Sequence, residues 1–438
     1  MNTTLQRYWN LDLQAHPEVE AQARRLLLDT LVCAAAGLGE PEPTAYAGRL
    51  GRSSPGPVRW PFNKESLSSI AAASLGAMAA CWHEYCEGSA FAHGRPGLHS
   101  VPVAVALGLA AKASYREVLQ ALIVGFEISA RAGNAMRIRP GLHVDGTWGV
   151  LGATATAAQL LKLSLTEADS ALRIAAVQLP ASSYRPVAVG ATARNTYAGH
   201  ACAQAILFAD AAASGVTAPA DALAIAAQQL GSTPTISEFW AWPEVDEPLI
   251  RSGYLKPFAA VRHTHYGAVA AQAWRDSHRD PADIDTDSIT AIDLFVYPEA
   301  LTYCANRAPQ TMIQAQFSLS YAVSRVLAGY PLKPGVYAPE VLHDPAANRL
   351  EALLNIEPTE EFVGRGARLR VVSSRGTFEI AVPSVPGDPD RPLDDAMLWQ
   401  KTAGILVPLV GAAPARNFFE RLLGGSLDQP LATALVDT

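Results

Sequence analysis

Four stretches of the chain gather titratable side chains into otherwise apolar surroundings. The first reads His83-Glu84-Tyr85-Cys86-Glu87-Gly88-Ser89 and continues through His93, Arg95, Pro96, Gly97 and His99. Polar, Gly and Pro residues lie here between two alanine-rich segments, which makes the stretch a loop at a helix end. Three histidines, two glutamates and an arginine within 17 residues are more than a surface loop usually carries. A solvated loop with one capping histidine is the plain alternative. The second stretch, His143-Val144-Asp145-Gly146-Thr147, precedes a helix expected from about Trp148. Open N–H groups at a helix start favour anions, and a histidine there gives or takes protons near neutral pH. The alternative is that Asp145 or Thr147 caps the helix and His143 merely packs.

The third stretch runs from Gly190 through Arg194, Asn195 and Tyr197 to His200, preceded by Tyr184-Arg185-Pro186. Its two arginines flank small residues that let a ligand approach the backbone; otherwise Arg194 pairs with an acidic side chain. The fourth is Lys256-Pro257-Phe258 with Arg262-His263-Thr264-His265, where the texture of the sequence changes, and seams between domains are common ligand sites. In an extended segment both imidazoles of an H-x-H pair would face one way and could ligate a metal. No H-E-x-x-H or carboxylate-spaced motif accompanies them, and the neighbouring Lys and Arg repel a cation, so no metal is expected. G-x-S-x-G, Walker A and G-x-G-x-x-G patterns are absent, which removes the usual support for hydrolase, NTPase and nicotinamide chemistry. The residue types fit proton transfer on a carboxylated molecule. Arginines neutralise carboxylates and acidify the adjacent C–H, while histidine or tyrosine moves the proton.

The elements that must position these groups follow from composition and periodicity. With 438 residues, 49% hydrophobic and 17% charged, the chain is globular with a large core and room for two domains. A net charge of −7 without long Lys/Arg runs argues against nucleic acid or an anionic membrane as partner. Only six of the 34 basic residues are lysine, and arginine clustered with histidine is suited to binding carboxylates. Five scattered cysteines without a C-x-x-C pair give no disulfide framework. No signal-peptide pattern or membrane-length apolar run is present, so a cytoplasmic protein is expected.

Alanine-rich segments with helical period fill the first 250 residues, among them Ser66 to Trp82, Val101 to Lys112 and Thr147 to Leu163. Residue 164 opens a Ser-Leu-Thr-Glu-Ala-Asp run, a helix N-terminus with an acidic first turn. Beyond about residue 255, Ser288 to Pro298 and Ala367 to Pro383 alternate like strands, the latter with a Ser-Arg-Gly hairpin signal, and Met312 to Ala328 is helical. The expected fold is mainly α with a smaller α+β domain. Residues 1–256 and 393–438 form the helical part, and residues 257–392 the α+β unit.

At these residues the sequence resembles the MmgE/PrpD family. Arg95-Pro96-Gly97 into the following helix corresponds to the family's H-P-G loop, and His143 to Ala153 to its H-x-T-G-x-x-G-x-x-G segment. Tyr197-Ala-Gly-His200-Ala corresponds to H-A-G-H-A, and Lys256 to His265 to K-P-Y-P-x-C-R-x-x-H. Ala315 to Val323 and Pro386 to Asp395 match two further motifs, so six occur in order along nearly the whole chain.

The resemblance implies a large helical domain built from both chain ends, an α+β lid, a homodimer and no cofactor. It implies dehydratase, decarboxylase or epimerase chemistry, as in 2-methylcitrate dehydratase, cis-aconitate decarboxylase and iminodisuccinate epimerase. His143 is then the leading acid/base, Lys256, Arg262 and His265 line the cleft, and Tyr303 is a pocket tyrosine. Three departures stand out. Tyr85-Cys86-Glu87-Gly88-Ser89 replaces D-F-D-D-T, Arg95 replaces a histidine, and Arg194 replaces a lysine. His99 or His93 would supply the missing imidazole, and Glu84 or Glu87 the missing carboxylate.

The expected catalytic set is His143, His99, Tyr303, Glu87 and Lys256, with Arg95, His93, Arg194, Arg185, Arg262 and His265 binding substrate. The expected activity is a cofactor-independent lyase or isomerase on a small di- or tricarboxylate, of dehydratase or decarboxylase type. An epimerase, or a non-catalytic carboxylate-binding protein, is the alternative.

Overall fold

Helices that are apolar around their whole circumference must be covered on every side, and the chain arranges its alanine-rich segments accordingly. The computed structural model describes residues 3–231, 248–280 and 283–436. The helical body contains α1 (Pro17–Leu38), α2 (Ser69–Cys81), α3 (Pro96–Ala110), α4 (Tyr115–Met136), α5 (Gly149–Leu160), α6 (Leu165–Ala176) and α7 (Tyr197–Ala213). Every residue from Ala71 to Cys81 in α2 and from Pro96 to Gly108 in α3 is buried. Capping boxes Ser114/Glu117 and Ser164/Glu167 start α4 and α6 by satisfying open N–H groups from both directions.

Small residues let these helices approach closely. A Cβ on Gly37 of α1 would stand 2.1 Å from the Ala79 carbonyl oxygen of α2, a backbone atom that cannot swing aside. Gly37→Ala is therefore expected to cost about 3 kcal/mol, the upper range for overpacking a core. Urea denaturation would show this as a lower midpoint at unchanged slope.

The α+β part begins with α8 (Arg262–Asp276) and holds β1 (Ile289–Val296), α9 (Leu319–Ala328), β2 (Leu354–Pro358), β3 (Ala367–Ser373) and β4 (Gly376–Val382). The sheet order is β2-β1-β3-β4, with β1 and β2 parallel and the other pairs antiparallel. Ser374 and Arg375 turn the β3–β4 hairpin, and Gly376 takes a φ of +116° that a side chain would resist. The fold is mainly α with a smaller α+β part. The last helices, α10 (Asp395–Val410) and α11 (Ala412–Gly424), pack back on α1. Lys401 in α10 pairs with buried Asp29 at 2.6 Å and donates to the carbonyls of Tyr85 and Lys256 at 2.8 and 3.0 Å. No described helix is long and apolar enough to cross a membrane.

Several boundaries differ from the periodicity reading, and Ser66 and Leu67 form a short strand ahead of α2. The helix expected from Val101 begins at Pro96, because proline is preorganised for the first turn and Glu87 accepts hydrogen bonds from Gly97 N–H and Leu98 N–H at 2.6 and 3.2 Å. The helix expected from Thr147 begins at Gly149. Met312 to Ala328 is two helices, broken at Phe317, where the Ser318 side chain leaves the helical path to cap α9 at Tyr321 N–H.

Candidate active site

Glu84 follows the C-terminal end of α2 in a left-handed conformation, φ +52°, uncommon for a side chain with a Cβ. That turn sends its carboxylate inward to three cations. Oε2 forms an ion pair with Arg95 at 3.1 Å and accepts from Arg194, while Oε1 accepts from Lys256 at 2.8 Å. Arg95, the residue preceding α3, also pairs with Asp145 from the loop before α5, and Arg194 lies 3.4 Å from the same carboxylate. All five side chains are buried. Burial pushes the Glu84 carboxyl up, but Arg194, Arg95 and Lys256 outweigh it and hold it below its usual range. Asp145 is likewise held ionised against burial by Arg95, His143 and Arg194. Three cations face two carboxylates, leaving one positive charge in excess.

This arrangement corrects two expectations. Arg95 and Arg194 do not present free forks to a substrate carboxylate, since protein carboxylates already occupy them. Glu84, rather than Glu87, supplies the acidic group at the cluster. Glu87 is sealed and caps α3, and burial pushes its carboxyl up to about 7.

His143 sits on the edge of this cluster, 4% exposed. Its Nδ1 accepts a hydrogen bond from the backbone N–H of Asp145 at 3.0 Å. A backbone N–H can only donate, so in the neutral ring the proton resides on Nε2. That Nε2 makes no hydrogen bond among the described residues and is not sealed in the interior. Burial drives the imidazole's pKa down to about 4, with Arg194 and Arg95 adding to the effect against Asp145. His143 is thus a fixed, neutral Nε2–H donor rather than a base, which narrows the acid/base role expected of it.

His99 holds the loop that carries His143. Its Nδ1–H donates to Arg95 O at 3.0 Å and its Nε2 accepts from Gly146 N–H at 3.0 Å. Both nitrogens are committed to backbone and the ring is fully buried, so His99 positions the loop and does not transfer protons.

A wall of rings leads from His143 across the seam. His143 stacks on Tyr184 (centroids 5.7 Å apart), Tyr184 meets Tyr303 at 6.0 Å, and Tyr303 stacks on His263 at 5.4 Å. Tyr197 closes the other edge of His143 at 5.8 Å. Tyr303, on the helix Pro298–Cys304, is 43% exposed and so opens this wall to solvent. The Tyr184 hydroxyl is sealed and has no hydrogen-bond partner among the described residues.

The remaining expected residues lie apart. Arg262 pairs with Asp388, donates to Pro386 O at 3.3 Å and donates to His265 Nδ1 at 3.1 Å. His265 Nε2–H donates to Ala260 O at 3.1 Å, so both residues lock the 386–391 turn against α8 and neither is free for a ligand. On a helix, residues two apart diverge, and His263 and His265 do not share a face for a metal. Among the described residues no group of three or more His, Cys, Asp or Glu is placed to hold a metal ion. His93 is half-buried at φ +53°, its pKa lowered to about 4 by burial and by Arg137 and Arg365. The Arg185 side chain is exposed on a short helix and makes no ion pair among the described residues. A cavity of about 700 Å³ lies behind the Glu84 turn, lined by Trp82, His83 and Tyr85 with α10 and the 333–339 segment. His143 and the ring wall do not line it.

A helical body and an α+β part that meet over imidazoles, tyrosines and a sealed lattice of charge define a two-part fold with titratable and aromatic side chains gathered at its seam. The MmgE/PrpD N-terminal domain is matched over residues 10–232 and the MmgE/PrpD C-terminal domain over residues 258–422. The chain belongs to the MmgE/PrpD family, which includes 2-methylcitrate dehydratases and related lyases. Comparison with individual curated proteins found no match.

Proposed function

We propose that the protein is a cofactor-independent lyase or isomerase that removes a proton next to a carboxylate of a small di- or tricarboxylate. The single observation that carries this reading is the neutral, preorganised Nε2–H of His143 beside a fixed excess of positive charge. Proton loss next to a carboxylate builds negative charge on its oxygens. A donor already aimed and already desolvated stabilises that charge without reorganising. A neutral imidazole suits this work because it donates without placing a further cation beside Arg95 and Arg194.

The enediolate has two exits. Loss of a β-hydroxyl gives dehydration, and return of a proton to carbon gives exchange or epimerisation. The family's 2-methylcitrate dehydratases support the first exit, on a hydroxylated tricarboxylate. Incubation with 2-methylcitrate, citrate, malate and cis-aconitate in deuterated buffer tests the reading by ¹H NMR. Deuterium is expected at the carbon next to a carboxylate in product or recovered substrate. Thermal stabilisation by a panel member without exchange or conversion would instead support a carboxylate-binding protein on the same fold.

A further inference from the structure

Proton removal needs a base, and His143 is not one: its Nδ1 already accepts and its Nε2 already carries the proton. The described residues offer a different group at the far end of the ring wall. His263, on the first turn of α8, is 8% exposed and stacks on Tyr303, at the far end of the ring wall that begins at His143. Its Nδ1 lies 2.5 Å from the hydroxyl of Tyr297. A hydroxyl rotates, so Tyr297 accepts from Nδ1–H in one tautomer and donates to Nδ1 in the other. The partner of His143 Nδ1 has no such freedom. His263 Nε2 has no hydrogen-bond partner among the described residues and is not sealed.

We infer that His263 is the base of the reaction proposed above, with Tyr297 as its positioning residue and His143, at the other end of the ring wall, as the oxyanion donor. The inference rests on that reaction class. In the step, Nε2 of His263 takes the proton from the carbon next to the carboxylate. The C–H electron pair becomes the enediolate, held by the Nε2–H of His143, and the imidazolium formed keeps its Nδ1–H on the Tyr297 oxygen. That proton then passes to the departing β-hydroxyl, which leaves as water, or exchanges with solvent before a proton returns from the imidazolium to carbon. Charge and atoms balance without any other reagent. Burial, Arg365 and Lys256 lower the basicity of His263 and so keep it unprotonated at neutral pH.

The test uses the full chain and the carboxylate panel named above. In His263→Ala, exchange is expected to fall at least about a hundredfold, the lower end for losing a general base. Added imidazole is expected to restore part of the exchange, at a rate that follows the free-base fraction of the added imidazole. His143→Ala is expected to be slow and not rescued. Tyr297→Phe is expected to keep the fold and lose rate, with an altered pH profile. A His263→Asn variant, shown by circular dichroism to be folded, guards against collapse of the alanine variant. Exchange above a tenth of the wild-type rate in folded His263→Asn, or loss of activity without imidazole rescue in His263→Ala, overturns the assignment of the base. Absence of both exchange and conversion in the wild-type protein across the whole panel overturns the reaction class itself.

Discussion

Replacing Glu84 by alanine is expected to lower folding stability by about 3–5 kcal/mol, the cost of breaking a buried ion pair from one side. The two oxygens of Glu84 are shared among Arg95, Arg194 and Lys256, all at most 5% exposed. With alanine these cations keep only Asp145 as counter-charge, in a site that water does not reach. The same residue holds a left-handed backbone, φ +52°. Glu84→Gly would relieve that conformation while removing the carboxylate, and is expected to cost somewhat less than Glu84→Ala. Glu84→Gln keeps the shape and one acceptor oxygen but not the charge, and is expected to fall between wild type and alanine. Denaturant unfolding measures all three, and a loss below about 1 kcal/mol for alanine would remove Glu84 from the centre of the lattice. The sign with pH follows from the same geometry. A carboxyl held below its usual range contributes stability above about pH 4.5, which is lost as pH falls toward its folded value.

Glu84 also shows where sequence reading stops. Residue types and spacing mark the stretch from His83 to His99 as chemically dense, but the chain there changes direction at a left-handed residue and at the start of α3. Both glutamates, three residues apart, are buried, and their spacing does not say which one meets the cations and which one caps α3. Periodicity says nothing about it. The helical body was legible because alanine-rich helices must pack on all sides, and the strands of the α+β part because their alternation matches one buried face. The break at Phe317 is hidden because no Gly or Pro marks it and a single serine, Ser318, makes the new cap. At the seam, residues close in sequence part company: Arg262 turns to Asp388 and His265 braces it from the Ala260 carbonyl, whereas His263, between them, turns to Tyr297 and Tyr303. The motif locates all three and cannot assign them. The arginine excess, which suggested open carboxylate-binding forks, is partly an internal matter, since Asp145 and Glu84 already answer Arg95 and Arg194.

His143→Ala is expected to lower kcat about a hundredfold to a thousandfold with the fold retained, the usual loss for one preorganised donor to a developing oxyanion. Its pH behaviour separates this role from that of an ordinary histidine acid or base. A free imidazole changes charge near pH 6.5, and a rate that depended on that change would bend there. Burial has moved the His143 transition to about 4, with Asp145 opposing and Arg194 and Arg95 assisting. The wild-type contribution of His143 is therefore expected to be flat from about pH 5 to 8 and to fall only as pH approaches 4. Protonation at Nδ1 would then expel the Asp145 N–H. His143→Gln, which can present an amide N–H to the same oxygen, is expected to retain more activity than alanine, whereas a proton-transferring histidine would gain nothing from glutamine. Nitrogen NMR on ¹⁵N-histidine-labelled protein reads the tautomer directly. An Nε2–H signal for His143 between pH 5 and 8 supports the donor role. An Nδ1–H signal would free Nε2 to accept and return the role of base to His143.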